Sequence, residues 1–415
     1  MTKNLFRFKK SDKISLSSDN VRAARDYIKN YWNTLERFSP EENDSLIGLP
    51  KPYLVPAYEK SHSFDFNELY YWDSYFMVQG ILDDDHKELV MGILEDLISL
   101  FKRYNVIPNA SRTYLTGHSQ PPLLTSFIWD VYDAYKLNNE WLREKIEIAK
   151  AEYRTVWMGT KKPNERLIYK NLSRYYDINH IDDLAETESG WDMTPRFNHR
   201  ALNYLPIDLN SLLYKYEADF AKTADALGDE QEARLWRKAM DQRANTINEL
   251  MWDKGNNLYY DYNFTKHKLS HVGSLASFYP LWSGMANEYQ AKKLVKSLAR
   301  FEYKGGLSAT DNSTFSRFMP YSINMQWAYP NGWAPLHFMI VYGLQRYGYH
   351  EDARRVAMKW LKTNLDWFNK HGVFLEKYNV VQPEEPPAKG LYPSQTGFGW
   401  TNAVFERFCQ DFIDK

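Results

Sequence analysis

Apolar residues recur at three- and four-residue steps along almost the whole of this 415-residue chain, and no Pro/Gly/Ser-rich linker divides the pattern. That spacing predicts helices over residues 18–38, 87–104, 126–135, 141–157, 209–227, 230–252, 288–301, 334–347, 351–368 and 401–412. Ser18 or Asp19 is placed to cap the first, and the polar KLNNE joins the third to the fourth. Strand signals are few; residues 258–264 (LYYDYNF) are the best and predict a small hairpin with 268–272. About eleven or twelve helical segments in pairs of about 35–45 residues are the unit size of stacked helical hairpins. Six hairpins closed into a ring need about twelve helices. The fold expected is therefore all-α, an (α/α)6 toroid with short strands in its loops, forming a single domain over 1–415.

Composition narrows the partners. With 52 Lys+Arg against 53 Asp+Glu the formal net charge is −1, so no basic face is expected for nucleic acid. No run of about 18 apolar residues predicts a membrane span, and the opening MTKNLFRFKKSDK has no apolar stretch of the signal-peptide kind. Cys409 is the one cysteine, which excludes an internal disulfide and a Cys-based zinc site and fits a reducing, cytoplasmic location.

Aromatic residues make up 16% of the chain, with 14 Trp, 31 Tyr and 22 Phe. They fit either a large helical core whose rings have polar ends or a cleft of flat apolar faces suited to the C–H faces of sugars. Their placement adds information. YYWDSYF (70–76), HSQPP (118–122), ESGWDMTPRF (188–197), QWAYPNGWAP (326–335), FLEKYNV (374–380) and TGFGWTN (396–402) fall in connections and mix Trp, Gly, Pro and carboxylates. Six such loops near helix ends point to one pocket on one face of the ring.

Glu188, Asp192, Asp73 and Glu376 lie in these loops. Asp192 follows Gly190-Trp191, where glycine permits close backbone approach and the indole excludes water. Glu376 follows an apolar run and precedes Lys377. Two carboxyl groups from distant stretches, one protonated and one ionised, are what glycoside hydrolysis requires. No G-x-S-x-G, H-E-x-x-H, GxxxxGK[ST] or GxGxxG occurs. His118, His180, His199 and His271 show no ligand spacing, so neither metal nor cofactor is expected, carbonyl-held Ca²⁺ being left open.

The same motifs, in the same order, resemble those of glycoside hydrolase family 37, the α,α-trehalases, over about Phe66 to Glu406. QWAYPNGWAP is similar to the family's second signature and FNELYYWDSYF to the tail of its first; ESGWDMTPRF, LPIDLNSLLY, EKYNV and GFGWTN have counterparts. The resemblance implies an (α/α)6 toroid and inverting hydrolysis of a small α-glucoside, chiefly α,α-trehalose, with Asp192 as general acid and Glu376 as general base. It also implies Trp72, Trp191, Trp327, Trp333 and Trp400 as pocket walls beside Gly190. Phe66, Asp73, Asn109, Gln120 and Arg174 would meet sugar hydroxyls, and Arg196 would orient a carboxylate such as Glu188 or form a buried structural ion pair. The small carbohydrate is the partner expected; oligomeric state is not set.

Departures from the family pattern concern the second sugar. An arginine of the first signature is replaced by Asp65, Arg-Ser-Gln-Pro-Pro becomes His118-Ser119-Gln120-Pro121-Pro122, the Asp of the second signature is Ala328, and Gly-Glu-Tyr-Pro becomes Gly390-Leu391-Tyr392-Pro393. Family 63 toroids that hydrolyse mannosylglycerate or glucosylglycerate resemble the chain in length and in the SGWD-x-[ST]-PR run, and are the alternative. A catalytically inactive sugar-binding toroid is the less favoured reading. The Pro-rich segment 381–395 either closes over the site or joins two helices.

Overall fold

The computed structural model describes residues 16–58, 66–83, 85–313, 325–388, 390 and 394–414. Among them the helices are α1 (Ser18–Leu35), α2 (Tyr71–Val78), α3 (Lys87–Tyr104), α4 (Leu124–Ala134), α5 (Asn139–Glu152), α6 (Asp182–Thr187) and α7 (Ile207–Ala226). They continue as α8 (Glu230–Met251), α9 (Tyr279–Ser283), α10 (Glu288–Ser297), α11 (Ala334–Arg346), α12 (His350–His371) and α13 (Gly399–Phe412).

Burial sorts these helices into two rings. In α2 all eight residues are buried, and α11 and α13 bury most of theirs, so each has neighbours on every side. By contrast α1 buries Val21, Ala24, Ile28, Trp32 and Leu35, a single stripe at helical spacing, and leaves its other face in water. The inner helices α4, α7, α9, α11, α13 and α2 pack in succession. Gln79, which caps the C-terminus of α2, donates to Asp130 on α4 at 2.9 Å, and the Tyr75 and Phe127 rings of the two helices meet edge-on, which closes the circuit. Outside it stand α1, α3, α5, α8, α10 and α12. This is the toroid expected from the periodicity. Buried hydrophobic side chains from Val21 to Phe412 belong to one contiguous cluster.

Several boundaries move. The first helix ends at Leu35, because Glu36–Arg37 leaves to pair with Tyr53–Leu54. Its N-cap is Ser17, which makes no side-chain cap bond, rather than Ser18 or Asp19. The KLNNE turn does cap its helix: the Asn138 side chain accepts from the Trp141 N–H at 2.9 Å. Residues 141–157 are not one helix; α5 stops at Glu152 and Tyr153–Trp157 widen into a π-turn. The region 258–264 is two strands. Leu258–Tyr259 pairs with Trp252–Asp253, and Tyr262–Asn263 pairs with both Lys268–Leu269 and Tyr204–Leu205. YYWDSYF is helix α2, not a connection, since an inner helix without a polar face shows no amphipathic contrast.

Candidate active site

Five tryptophans lie close together at one end of the inner ring. Trp327 stacks on Trp333 at 3.8 Å with the planes 2° apart, and on Trp191 at 5.4 Å. Trp72 and Trp400 close the group at 5.6 and 6.1 Å from Trp327. None is more than 4% exposed. They were expected as pocket walls; all five are buried, with Trp327 stacked on both Trp333 and Trp191, and together they form one aromatic floor. Lys377 and Arg196 set their charges over this floor, 5.0 Å from the Trp333 ring and 4.6 Å from that of Trp191.

The backbone joins the carboxylate loops to one another. Residues Asn331–Trp333 pair antiparallel with Lys377–Asn379, Trp333 opposite Lys377, which fixes Glu376 at the strand's start. Gln326 donates to the Asp192 carbonyl at 2.8 Å, and the Trp327 N–H to the Met193 carbonyl at 3.1 Å. The Trp400 indole donates to the Glu376 carbonyl at 3.1 Å. Asp192 is thus tied to the 326–333 loop, which is tied in turn to Glu376 and α13. Gly190 is required where it stands: its φ is +72°, and a Cβ there would lie 2.5 Å from the Trp72 ring.

Three carboxyl groups sense each other across this floor. Asp192, half-buried, is pushed up to about 7, first by burial and then by the Glu376 charge, partly countered by Lys377 and a backbone hydrogen bond. Asp73, in the first turn of α2, is held well above the carboxylate range by burial and by Asp192 and Glu376. Glu376 accepts from the Lys377 ammonium at 2.6 Å, with both side chains 1% exposed. An acid poised to hold its proton beside an ion-paired carboxylate is the electrostatic pattern of acid–base chemistry.

Other expected site residues fall nearby in different roles. Gln120 accepts from the Trp72 N–H at 2.9 Å and also bonds Asp73. Asn109 donates to the Ser119 and Thr187 carbonyls at 3.3 and 3.4 Å, binding the 118–122 loop to the end of α6. Phe66 packs edge-on against Tyr70 and Phe398. Arg174 turns its guanidinium to the carbonyls of Glu165, Leu202 and Asn164 at 2.8, 2.7 and 3.2 Å, so those donors serve the backbone rather than a sugar hydroxyl.

Arg196 does not orient Glu188. It forms the buried structural ion pair instead, doubly bonded to Asp208 at 2.7 Å and to Asp261 at 2.8 and 3.0 Å. Glu188 is held by Arg166, by the Ser119 N–H at 2.6 Å and by the Tyr176 N–H at 2.7 Å. Arg166 went unseen because its hairpin, Leu167–Tyr169 with Leu172–Ser173, has too short a pattern to register. Among the substitutions, His118 is buried, with its Nε2 3.2 Å from the Thr187 hydroxyl, and burial holds it below the usual histidine range. Ala328 is buried too. Asp65 and Leu391-Tyr392-Pro393 lie outside the described residues. In the segment 381–395, Ala388 exchanges two hydrogen bonds with Asn331, at 2.9 and 3.3 Å, and the Gln395 carbonyl accepts from Glu376 N–H at 3.0 Å.

The family profile described as Trehalase matches residues 6–189 and 181–412. The chain belongs to the trehalase family. Membership places it among glycoside hydrolases that act on small α-glucosides with inversion. The neutral trehalase Nth1 from Saccharomyces cerevisiae superposes with a TM-score of 0.75 at 28% identity, over 93% of this chain and 79% of that one. The GH63 mannosylglycerate hydrolase from Thermus thermophilus, crystallised with glucose, gives 0.69 at 16% identity, over 93% and 99%, and shares the fold. No helix among the described residues is long and apolar enough to cross a membrane.

Proposed function

We propose that the chain hydrolyses α,α-trehalose to two glucose molecules with inversion, Asp192 acting as general acid and Glu376 as general base. The observation that carries this reading is the pairing of unlike carboxyl groups. Asp192 has its carboxyl lifted to about 7 by burial and by Glu376, while Glu376 meets the Lys377 ammonium at 2.6 Å. Asp192 gives its proton to the glycosidic oxygen as the C1–O bond breaks. Glu376 takes a proton from the water that attacks C1 from the opposite face. One glucose leaves with the inverted β configuration and the other with its α configuration unchanged. Such a water needs the two carboxyl groups roughly 6.5–9.5 Å apart. Asp73, Gln120 and Asn109 are assigned to sugar hydroxyls, Asp73 and Gln120 being bonded to each other beside Trp72. The likeness to a neutral trehalase at 28% identity favours trehalose over glycerate glucosides.

The test is a panel of trehalose, glucosylglycerate and mannosylglycerate, read as released sugar, with the first-formed anomer followed by proton NMR. Trehalose is expected to be the best substrate, with β-glucose in excess of mutarotation. Preference for a glycerate glycoside would transfer the assignment to that class, and no release from any of them would make the chain a sugar binder. A cytoplasmic location is proposed with this function, and cell fractionation checks it.

A further inference from the structure

On α6 and the loop that follows Asp192, Asp183, Glu186 and His199 bring one ligand atom each to within 4.8 Å of one another. Asp183 and Glu186 are three residues apart on α6 and share its face. His199 comes from the loop that follows Asp192. The histidine and Asp183 are exposed, 3.3 Å apart, whereas Glu186 has no solvent exposure. One oxygen of Glu186 accepts from the Thr194 N–H at 2.7 Å, and its other oxygen, Oε2, is buried with no hydrogen-bond partner. Buried carboxylate oxygens are rarely left so, because the group has given up water without replacement.

We infer that Asp183, Glu186 and His199 form a divalent-metal site of the zinc class, bracing α6 against the turn that carries Asp192. Two carboxylates and an imidazole make a mixed oxygen–nitrogen set that suits Zn²⁺, while Ca²⁺ and Mg²⁺ favour all-oxygen shells. A bound ion would satisfy Oε2 directly. The two exposed ligands leave its outer side open to water, so a tetrahedral shell completed by solvent fits. Sequence spacing concealed the set, since its members are three and thirteen residues apart and belong to no known ligand motif.

The test uses the full chain stripped with chelator and needs no substrate. Zinc titration by calorimetry, thermal unfolding with Zn²⁺, Mg²⁺ or Ca²⁺, and visible absorption of the Co²⁺ form are compared for the wild type and for Asp183→Ala with His199→Ala. Both altered side chains are exposed, so the double variant is expected to fold. One zinc per chain, a zinc-specific rise in Tm and cobalt ligand-field bands, all lost in the double variant, are expected. Glu186→Gln, which keeps the Thr194 bond, should also lose zinc. Absence of zinc binding to the wild type, unchanged binding to the double variant, or an equal response to Mg²⁺ and Ca²⁺ would overturn the site.

Discussion

Two charge clusters lie against the stacked tryptophans, one over Trp191 and one over Trp333, and are built on opposite principles. In one, Arg196 is chelated by Asp208 and Asp261, with its Nε and both terminal nitrogens bonded to carboxylate oxygens. In the other, Asp73, Asp192 and Glu376 crowd one another around Lys377. Fixed, reciprocal hydrogen bonds offset the desolvation of the first cluster and make it a structural joint between the 188–197 loop, α7 and the link at Asp261 between strands Leu258–Tyr259 and Tyr262–Asn263. The second leaves Asp192 short of compensation, so its proton is retained near neutrality. The first arrangement holds the fold; the second keeps Asp192 in the protonation state required of the proposed acid.

The largest effect that separates the clusters is on rate. Asp192→Asn and Glu376→Gln should each lower kcat/KM for the preferred substrate by about 10²–10⁴, with folding intact by circular dichroism. Arg196→Met should do the reverse, lowering stability by about 3–5 kcal/mol because two carboxylates lose their partner, measured by urea unfolding. Failure to fold would agree with that; near-native stability would erase the contrast.

Next in size is the pH response. The acid proposed at Asp192 acts in its protonated form, so kcat/KM should fall as pH rises through about 7. Stability follows the same group. The native state binds this proton more tightly than an unfolded Asp near pH 4, so wild-type stability is lost between about pH 4 and 7 as pH rises. Asp192→Asn removes that loss, and its Tm should exceed the wild-type value most at pH 8. Gly190→Ala should cost about 1–3 kcal/mol through its positive φ and its clash with Trp72, and lower activity as Asp192 shifts. Smallest is Arg174→Gln: about 1–2 kcal/mol of stability as donors to three carbonyls are lost, and an unchanged KM.

What the sequence disclosed follows from the same physics. Outer helices such as α1 and α12 were legible because one face meets water and the other the core. Inner α2 was read as a connection and α9 not at all, since both are buried throughout and lack that contrast. The loops holding Asp192 and Glu376 stood out because Gly, Trp and carboxylates do not suit helix interiors. The partners of Arg196 did not, for Asp208 and Asp261 reach it only through tertiary packing. The same holds for Arg166 on Glu188. Tryptophan placement was visible, but whether a ring faces a ligand or another ring is decided by the fold.

The proton donor is tested most directly by a substrate that needs none. On α-glucosyl fluoride, whose leaving group departs without protonation, Asp192→Asn should keep substantial turnover while its trehalose hydrolysis collapses, and Glu376→Gln should lose both. Equal loss on the two substrates in Asp192→Asn, or trehalose turnover close to wild type, would contradict an acid at 192.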